Sequence, residues 1–410
     1  MKNINLMALT SAISIALMTG CSFNAADSSE TIQPDAVVIA PARVSSTFIK
    51  GVDLSMVPEV EALGGKYYEN SIEKDPLQIL QEHGVNYVRM RVWVDPKTLD
   101  GKPYGGGNVT LEKSIEIGKR AHDLGMKYLL DLHYSDFWTD PGKQIKPKAW
   151  KDLPFDSLVE QVTDYTDEVM KAHREAGVMP DMVQIGNELN SGMLWPEGKS
   201  WGGDGHEFER LSKLLNAGIS AVRASYHDGE DVQIMLHLAE AGKNDTFRWW
   251  FDEITKNGVT DYDVIGMSYY PYWHGPMKDV KANMLDVEER YNKPIIIVET
   301  SYAYTTENGD ELENSFTGEE PFEDYPVSVE GQANFLKDLM EMVNEVPNNS
   351  SGGIFYWDPA WLPVKGATWA TKEGMDYADD HWKPGNSWDN QTLFDFNGNV
   401  LPSLDVFKNK

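Results

Sequence analysis

Short apolar runs alternate with longer amphipathic segments along most of the chain. The runs are rich in β-branched and aromatic residues, which is typical of buried strands. They lie at residues 48–52, 87–92, 128–132, 182–185, 233–237, 264–267, 295–298 and 353–356. The segments between them predict helices at residues 76–83, 111–124, 158–176, 208–226, 246–256, 277–291 and 329–346, and a last one near Leu404 that would pack Val406 and Phe407.

This alternation predicts parallel strands joined by right-handed helical crossovers. Eight such units that close on themselves form a single (β/α)8 TIM barrel with long βα loops. The alternative is a doubly wound open sheet, which usually carries a glycine-rich phosphate turn after an early strand. The glycines at 105–107 lack the P-loop lysine and do not directly follow a strand, so the pattern favours the barrel.

The first 46 residues do not follow this pattern. Lys2 precedes an apolar run from Leu6 to Met18 that is too short to span a bilayer comfortably, which is typical of a signal peptide. The run ends in LMTGC, which resembles the lipobox of bacterial lipoproteins, so we expect cleavage after residue 20 and acylation of Cys21. An ordinary secretory signal with an incidental cysteine is the alternative. We therefore predict a signal peptide at 1–20, an acylated flexible linker at 21–46 and one catalytic domain at 47–410.

Composition narrows the class of partner. The chain has 410 residues, with 36 basic and 65 acidic ones, for a net charge of −29. This balance argues against nucleic acid, an electrostatically held membrane and anionic substrates. Aromatic residues make up 11% of the chain, including 13 Trp and 18 Tyr, and their faces suit a neutral sugar as well as a protein core.

Polar residues follow each of the eight apolar runs, and in a barrel those strand ends converge on one mouth. Asn187 and Glu188 follow the fourth run, and Glu299 follows the strongly apolar seventh. A carboxylate at the end of a buried strand is costly unless it is paired or functional. Two of them at one mouth form the minimal machinery of glycoside hydrolysis, whereas helix capping or salt bridging is the alternative for each alone.

Several longer sequence segments together resemble one known family. They are KGVDLSM, VRMRVWVDP, LLDLHYSDFWTDPGKQ, VQIGNELNSG, GMSYYPYW, VETSY and GIFYWDPAW. In this order, from Phe48 to Leu401, they resemble glycoside hydrolase family 53 of clan A, the arabinogalactan endo-β-1,4-galactanases. The resemblance implies endo-acting, retaining cleavage of β-1,4-galactan, a pectin side chain, with Glu188 as acid/base and Glu299 as nucleophile.

The resemblance also implies substrate-binding residues around this pair. These are Asn187 for the sugar 2-hydroxyl, Arg89 for keeping Glu299 ionised, His133, one of Tyr269 and Tyr270, and the platforms Trp357, Trp138 and Trp273. Arg91 shares a strand face with Arg89, so the sequence does not decide which arginine lies closer to Glu299. A core role is the alternative for the tryptophans and for His133. Asp358 departs from the glutamate expected in the last word.

Bacterial members of the family carry a calcium loop after the seventh strand. The corresponding positions here are Asn308, Asp310, Asn314, Ser387 and Asp389, which offer the oxygen ligands that Ca²⁺ prefers. Asn308 replaces an aspartate and Leu312 replaces a histidine, so the set is reduced, and a solvated acidic loop is the alternative. No metal-binding word such as HExxH occurs, so we expect no catalytic cofactor.

These observations predict a monomeric hydrolase of a neutral polysaccharide, β-1,4-galactan, that binds no nucleic acid. Its N-terminal lipid would anchor it in the cell envelope, at the outer membrane, on the surface or the periplasmic face. Two alternatives stay open. One is a clan A mannanase, xylanase or cellulase, and the other is a surface glycan-binding lipoprotein without catalysis.

Overall fold

The computed structural model describes residues 38–318, 325–349 and 352–409. The predicted signal peptide, Cys21 and most of the predicted linker lie outside the described residues. Within the described ranges, the structure contains no helix long and apolar enough to cross a membrane.

Eight parallel strands form a closed barrel in which each strand pairs with its neighbours in sequence. They are β1 (Ile49–Asp53), β2 (Tyr87–Val92), β3 (Lys127–Leu132), β4 (Met182–Ile185), β5 (Gln233–Leu238), β6 (Val264–Ser268), β7 (Ile295–Thr300) and β8 (Gly353–Tyr356). The barrel closes where β1 pairs with both β2 and β8. The predicted (β/α)8 fold is confirmed, and every predicted strand is present.

Nine helices of the described residues connect or follow these strands. They are α1 (Val57–Ala62), α2 (Pro76–Glu82), α3 (Leu111–Asp123), α4 (Phe155–Ala176), α5 (Glu207–Ala224), α6 (Asn244–Lys256), α7 (Met277–Tyr291), α8 (Val329–Asn344) and α9 (Lys372–Ala378). The last predicted helix is a 3-10 helix, Pro402–Phe407, and it buries Val406 and Phe407 as expected. Two short hairpins, Tyr67–Glu69 with Ile72–Lys74 and Gly192–Met193 with Gly198–Lys199, lie in βα loops.

Local sequence sets several of these boundaries. Asp75 caps α2 by accepting a hydrogen bond from the Leu77 amide at 2.7 Å, and Pro76 suits the first helical position. Ser328 caps α8 in the same way through the Gly331 amide. Gly177 ends α4 in the left-handed conformation, where a side chain would be strained.

The barrel interior changes character along its axis. Near the amino-terminal ends of the strands it holds a separate apolar cluster: Ile49, Tyr87, Leu129, Met182, Met235, Val264, Ile296, Val298 and Phe355. Inward-facing residues alternate along each strand, so Arg89 and Arg91 continue the row that Tyr87 begins in β2. The interior is therefore packed below and charged above, at the carboxyl-terminal mouth where sites form in this fold.

Candidate active site

Glu188 stands on a tight turn directly after β4. Gly186 has φ of 76°, and Glu188 itself has the left-handed values φ 49° and ψ 58°, which are uncommon for a residue with a side chain. The partly buried Glu188 carboxyl accepts a hydrogen bond at 2.6 Å from the hydroxyl of Ser268, the last residue of β6. The turn thus aims Glu188 over the barrel mouth.

Glu299 lies near the end of β7 with only 7% of the residue exposed. Its Oε1 accepts from the Arg89 guanidinium at 2.8 Å, and its Oε2 accepts from the Tyr270 hydroxyl at 3.1 Å. Both oxygens are thus engaged by donors that favour the ionised form.

Arg89 connects several strand ends below the two glutamates. It contacts Asp53 at 3.2 Å, Asp131 at 2.7 Å and the Asn187 side-chain oxygen at 3.1 Å. The Asp131 oxygen that Arg89 contacts also lies 2.9 Å from His133 Nε2. One buried cation therefore orients residues from β1, β3, β4 and β7.

The structure settles the choice between the two arginines of β2. Arg89 contacts Glu299, while Arg91 pairs with Asp358 at 2.8 Å and places its guanidinium carbon 4.3 Å from the Trp138 ring centre. Burial raises the pKa of Asp358 to about 7, although the charge of Arg91 opposes the rise. Asp358, whose role the sequence left open, therefore anchors Arg91 beneath an aromatic wall.

The environments of the two glutamates differ in a chemically useful way. Removal from water raises the pKa of Glu188 well above the usual range, and repulsion from Glu299 adds to the rise. Burial also raises the pKa of Glu299, but the charge of Arg89 and its hydrogen bond oppose this. The site therefore favours a proton on Glu188 and a negative charge on Glu299, the division of roles an acid and a nucleophile need.

Aromatic side chains line the cavity of about 460 Å³ above the pair. The predicted platforms Trp138, Trp273 and Trp357 all line it, and so do His133 and Tyr270. Four further tryptophans join them, namely Trp361, Trp369, Trp382 and Trp388. Trp388 packs edge-on against Trp357 with ring centres 4.7 Å apart.

The structure separates the two candidate tyrosines. Tyr270 contacts Glu299, whereas Tyr269 is fully buried, donates to the Gly275 carbonyl at 3.2 Å and packs near Phe335 of α8. Of the two candidates, Tyr270 therefore lies at the carboxylate pair, and Tyr269 packs away from it. The two residues follow the end of β6, and their hydroxyls have different partners although they are adjacent in sequence.

Sequence reasoning missed two site residues, Asp131 and Ser268, and three tryptophans of the cavity, Trp369, Trp382 and Trp388. Asp131 lies inside an apolar run, two residues before His133 and on the same face, and that buried charge was a usable signal. Ser268 was visible only as one polar residue at a strand end. Trp388 lies between Ser387 and Asp389, in a segment that the sequence associates with metal binding and not with sugar binding.

The predicted calcium positions do cluster. The buried Asp389 carboxylate accepts from the Asn314 amide at 2.8 Å and from the Gly309 amide at 3.0 Å. Asp310 accepts from two backbone amides at 2.7 Å each, and Asn308 also contacts Asn314.

Ser387 contacts the residue that follows Asn314: its carbonyl accepts from the Ser315 amide at 2.7 Å.

The donor set of this cluster suits a hard cation only in part. Burial raises the pKa of Asp389 to about 7, and the buried Asn314 side-chain oxygen has no hydrogen-bond partner among the described residues. A positive charge close to these two groups would stabilise both of them. However, the described part of the chain contains no group of three or more His, Cys, Asp or Glu side chains that could hold a metal.

Comparison with known proteins agrees with this geometry. The model of glycosyl hydrolase family 53 matches residues 49–407. A solved GH53 catalytic domain from Ignisphaera aggregans is 43% identical, with a TM-score of 0.83 over 90% of this chain and 98% of that one.

Curated relatives extend the agreement. A protein of Bacillus subtilis named endo-β-1,4-galactanase is 38% identical over 89% of this chain and 86% of its own length. A Cellvibrio japonicus protein named arabinogalactan endo-β-1,4-galactanase is 34% identical over 89% of this chain and 91% of its own. With the barrel, the paired glutamates and these matches in hand, the chain is placed as a member of glycosyl hydrolase family 53.

Proposed function

We propose that the protein is a retaining, endo-acting hydrolase of β-1,4-galactosidic bonds in galactan and type I arabinogalactan. The observation that carries the proposal is the pair Glu188 and Glu299, held in unlike environments at the mouth of an aromatic-lined cleft. The names of the relatives supply the choice of galactan.

In the first step, Glu299 attacks the anomeric carbon and the bond to the leaving oxygen breaks. Arg89 and Tyr270 keep the attacking carboxylate ionised and oriented. Glu188 gives its proton to the leaving oxygen, so the sugar remains bound to Glu299 as an ester. Retaining chemistry requires the two carboxyl groups at about 5–5.5 Å.

In the second step, Glu188 is ionised and takes a proton from water as the water attacks the same carbon. The ester bond to Glu299 breaks, and the enzyme returns to its starting protonation state. Two displacements on one carbon leave the product with the configuration of the substrate.

We propose binding roles for the residues around this pair. Asn187, which accepts from Arg89, would contact the sugar 2-hydroxyl, a contact that strengthens in the transition state. Trp357, Trp138 and Trp273 present faces for neutral sugar rings. His133 is tied to Asp131 and supports the floor of the site.

Substrate preference distinguishes the proposed galactanase from the first alternative. A clan A mannanase, xylanase or cellulase would use the same two glutamates, because these act on what all pyranosides share. We expect reducing sugar to be released from linear galactan, and not from mannan, xylan or cellulose. Clear release from one of these with none from galactan would refute the proposed specificity.

The second alternative, a glycan-binding lipoprotein without catalysis, predicts affinity without turnover. Glu299→Ala should abolish hydrolysis by at least about a thousandfold while galactan binding persists. Glu188→Ala should spare the first step for an aryl galactoside with a good leaving group, because that group needs no protonation. Equal activity of wild type and Glu299→Ala would overturn the nucleophile assignment.

We also propose that a calcium ion joins the two mouth loops at Asn308, Asp310, Asn314, Ser387 and Asp389. The unpartnered Asn314 oxygen and the buried Asp389 carboxylate support this. The role would be structural, because the cluster supplies neither the acid nor the nucleophile.

For location, we propose acylation of Cys21 and anchoring at the outer membrane of the cell envelope. The support is the LMTGC sequence after an apolar run. Cys21→Ser should move the protein from the membrane fraction to the soluble fraction. An unchanged membrane fraction would refute the anchor.

A further inference from the structure

We propose that His237 and Ser268 are positioning residues for the acid/base, linked in a closed chain of hydrogen bonds that begins and ends on Glu188. The chain binds Oε1 of the carboxyl and leaves Oε2 to carry the proton toward the substrate. The inference rests on the proposed role of Glu188 and adds two residues to that role.

The contacts form a ring. The Ser268 hydroxyl donates to Glu188 Oε1 at 2.6 Å, and its oxygen lies 2.8 Å from His237 Nε2. On the other side of the imidazole, Nδ1 lies 3.4 Å from the backbone nitrogen of Glu188. Within the described residues no donor contacts Glu188 Oε2, and Glu188 is one of the residues that line the cleft.

The ring determines where the histidine carries its proton. Ser268 has one hydroxyl proton and gives it to Glu188, so Nε2 of His237 must be the donor to the serine oxygen. Nδ1 is then an acceptor, and it faces two N–H groups, those of Gln184 at 3.1 Å and of Glu188. Asn187 Oδ1 also lies 3.1 Å away, but it already accepts from Arg89.

The same surroundings keep His237 neutral. The ring is fully buried, and burial lowers its pKa well below the ordinary value, with the charges of Arg89 and His133 adding to the effect. A neutral donor at this position does not compete with the substrate for the proton of Glu188.

The chain also explains how Glu188 tolerates its backbone. A left-handed conformation is disfavoured for a residue with a side chain, and the structure around it must hold it there. Here the ring secures the backbone N–H and the carboxyl of the same residue.

The ring has a consequence for catalysis. A hydrogen bond to a carboxylate is stronger than one to a neutral carboxyl, so the Ser268 bond strengthens as Glu188 loses its proton. The other charged groups that act on Glu188 are Glu299, Asp140 and Arg89, and none of these would be altered by changing Ser268.

The tautomer of His237 tests the proposal without any activity measurement. Nitrogen NMR on protein labelled with ¹⁵N-histidine should show a neutral ring protonated at Nε2 from about pH 5 to about pH 8. Comparison with His237→Gln would assign its signals among the nine histidines. A proton on Nδ1, or a charged ring, would overturn the chain even if galactan is cleaved. Galactan left intact with the Nε2 tautomer present would instead count against the proposed function alone.

Ser268→Ala tests the catalytic consequence. The active form needs Glu188 protonated, so kcat/KM falls as pH rises through its pKa. Ser268→Ala removes a donor that stabilises the Glu188 carboxylate, so the pKa of Glu188 should rise. The basic limb of the pH profile of kcat/KM should therefore move upward by about one pH unit, and kcat should fall about tenfold with KM little changed.

Two further variants control this experiment. Ser268→Thr keeps the hydroxyl and should restore the limb toward that of the wild type. Ser301→Ala removes another buried serine hydroxyl, one that donates to Gln391 at 2.7 Å, and should leave the limb in place. An unmoved limb in Ser268→Ala, or an equal shift in Ser301→Ala, would refute the positioning role.

Discussion

Arg89 and Arg91 stand two residues apart in β2, face the same interior and do different work. Arg89 holds the carboxylate that is proposed to attack, and Arg91 holds the aromatic wall through Trp138 and Asp358. The sequence predicted that both share one face of the strand, because side chains alternate along a strand. It could not assign their partners, because these come from β7 and from the loop after β8, which are distant in sequence.

The two tyrosines after β6 allow a matched test at this scale. Tyr270→Phe removes the hydroxyl that donates to Glu299, so we expect kcat on galactan to fall about tenfold or more. Tyr269→Phe removes a hydroxyl that donates to Gly275 outside the cleft, so its kcat should stay close to that of the wild type. Equal losses in steady-state kinetics of the two variants would contradict the assignment of Tyr270.

At the scale of elements, the barrel strands and the helices between them were predictable, whereas α1, α9, the two hairpins and the course of the loops were not. Strand and helix positions follow from local apolar periodicity, so all eight strands lie where the pattern placed them. The long loops after β3, β7 and β8 bring Trp138, Trp388 and the Asp389 cluster to the mouth, and their course depends on contacts with one another. No local pattern encodes such contacts.

Close packing inside the barrel gives a prediction for β1. A Cβ added at Gly51 would lie 2.3 Å from the Phe355 ring in β8, so Gly51→Ala should lower the free energy of unfolding by about 1–3 kcal/mol. Adding Phe355→Leu makes room and should recover part of the loss. Urea denaturation measures both. Unchanged stability of Gly51→Ala, or purely additive losses in the double variant, would contradict this packing.

At the scale of the whole molecule, the net charge of −29 coexists with a cleft in which Arg89, Arg91 and Lys143 lie among the acidic groups. The chemistry there concerns an uncharged sugar, so acidity outside the cleft does not oppose binding.

The calcium proposal also belongs to this scale, because the ion would join loops that follow two different strands. Chelation should lower the thermal midpoint of unfolding, and added Ca²⁺ should restore it. At a free Ca²⁺ concentration of about a hundred times the Kd, the ion should add about 3 kcal/mol to the free energy of unfolding. Asp389→Asn should lose this response. Asp395→Asn, at a nearby turn outside the cluster, should keep it. A midpoint indifferent to chelation in the wild type would refute the site.

The central claim is retaining, endo-acting cleavage of β-1,4-galactan, and proton NMR of the first products from the linear polymer tests it most directly. We predict a ladder of oligosaccharides whose new reducing ends appear first as the β-anomer and only later equilibrate. New reducing ends that appear first as the α-anomer would contradict the double displacement, and immediate release of galactose alone would contradict endo action.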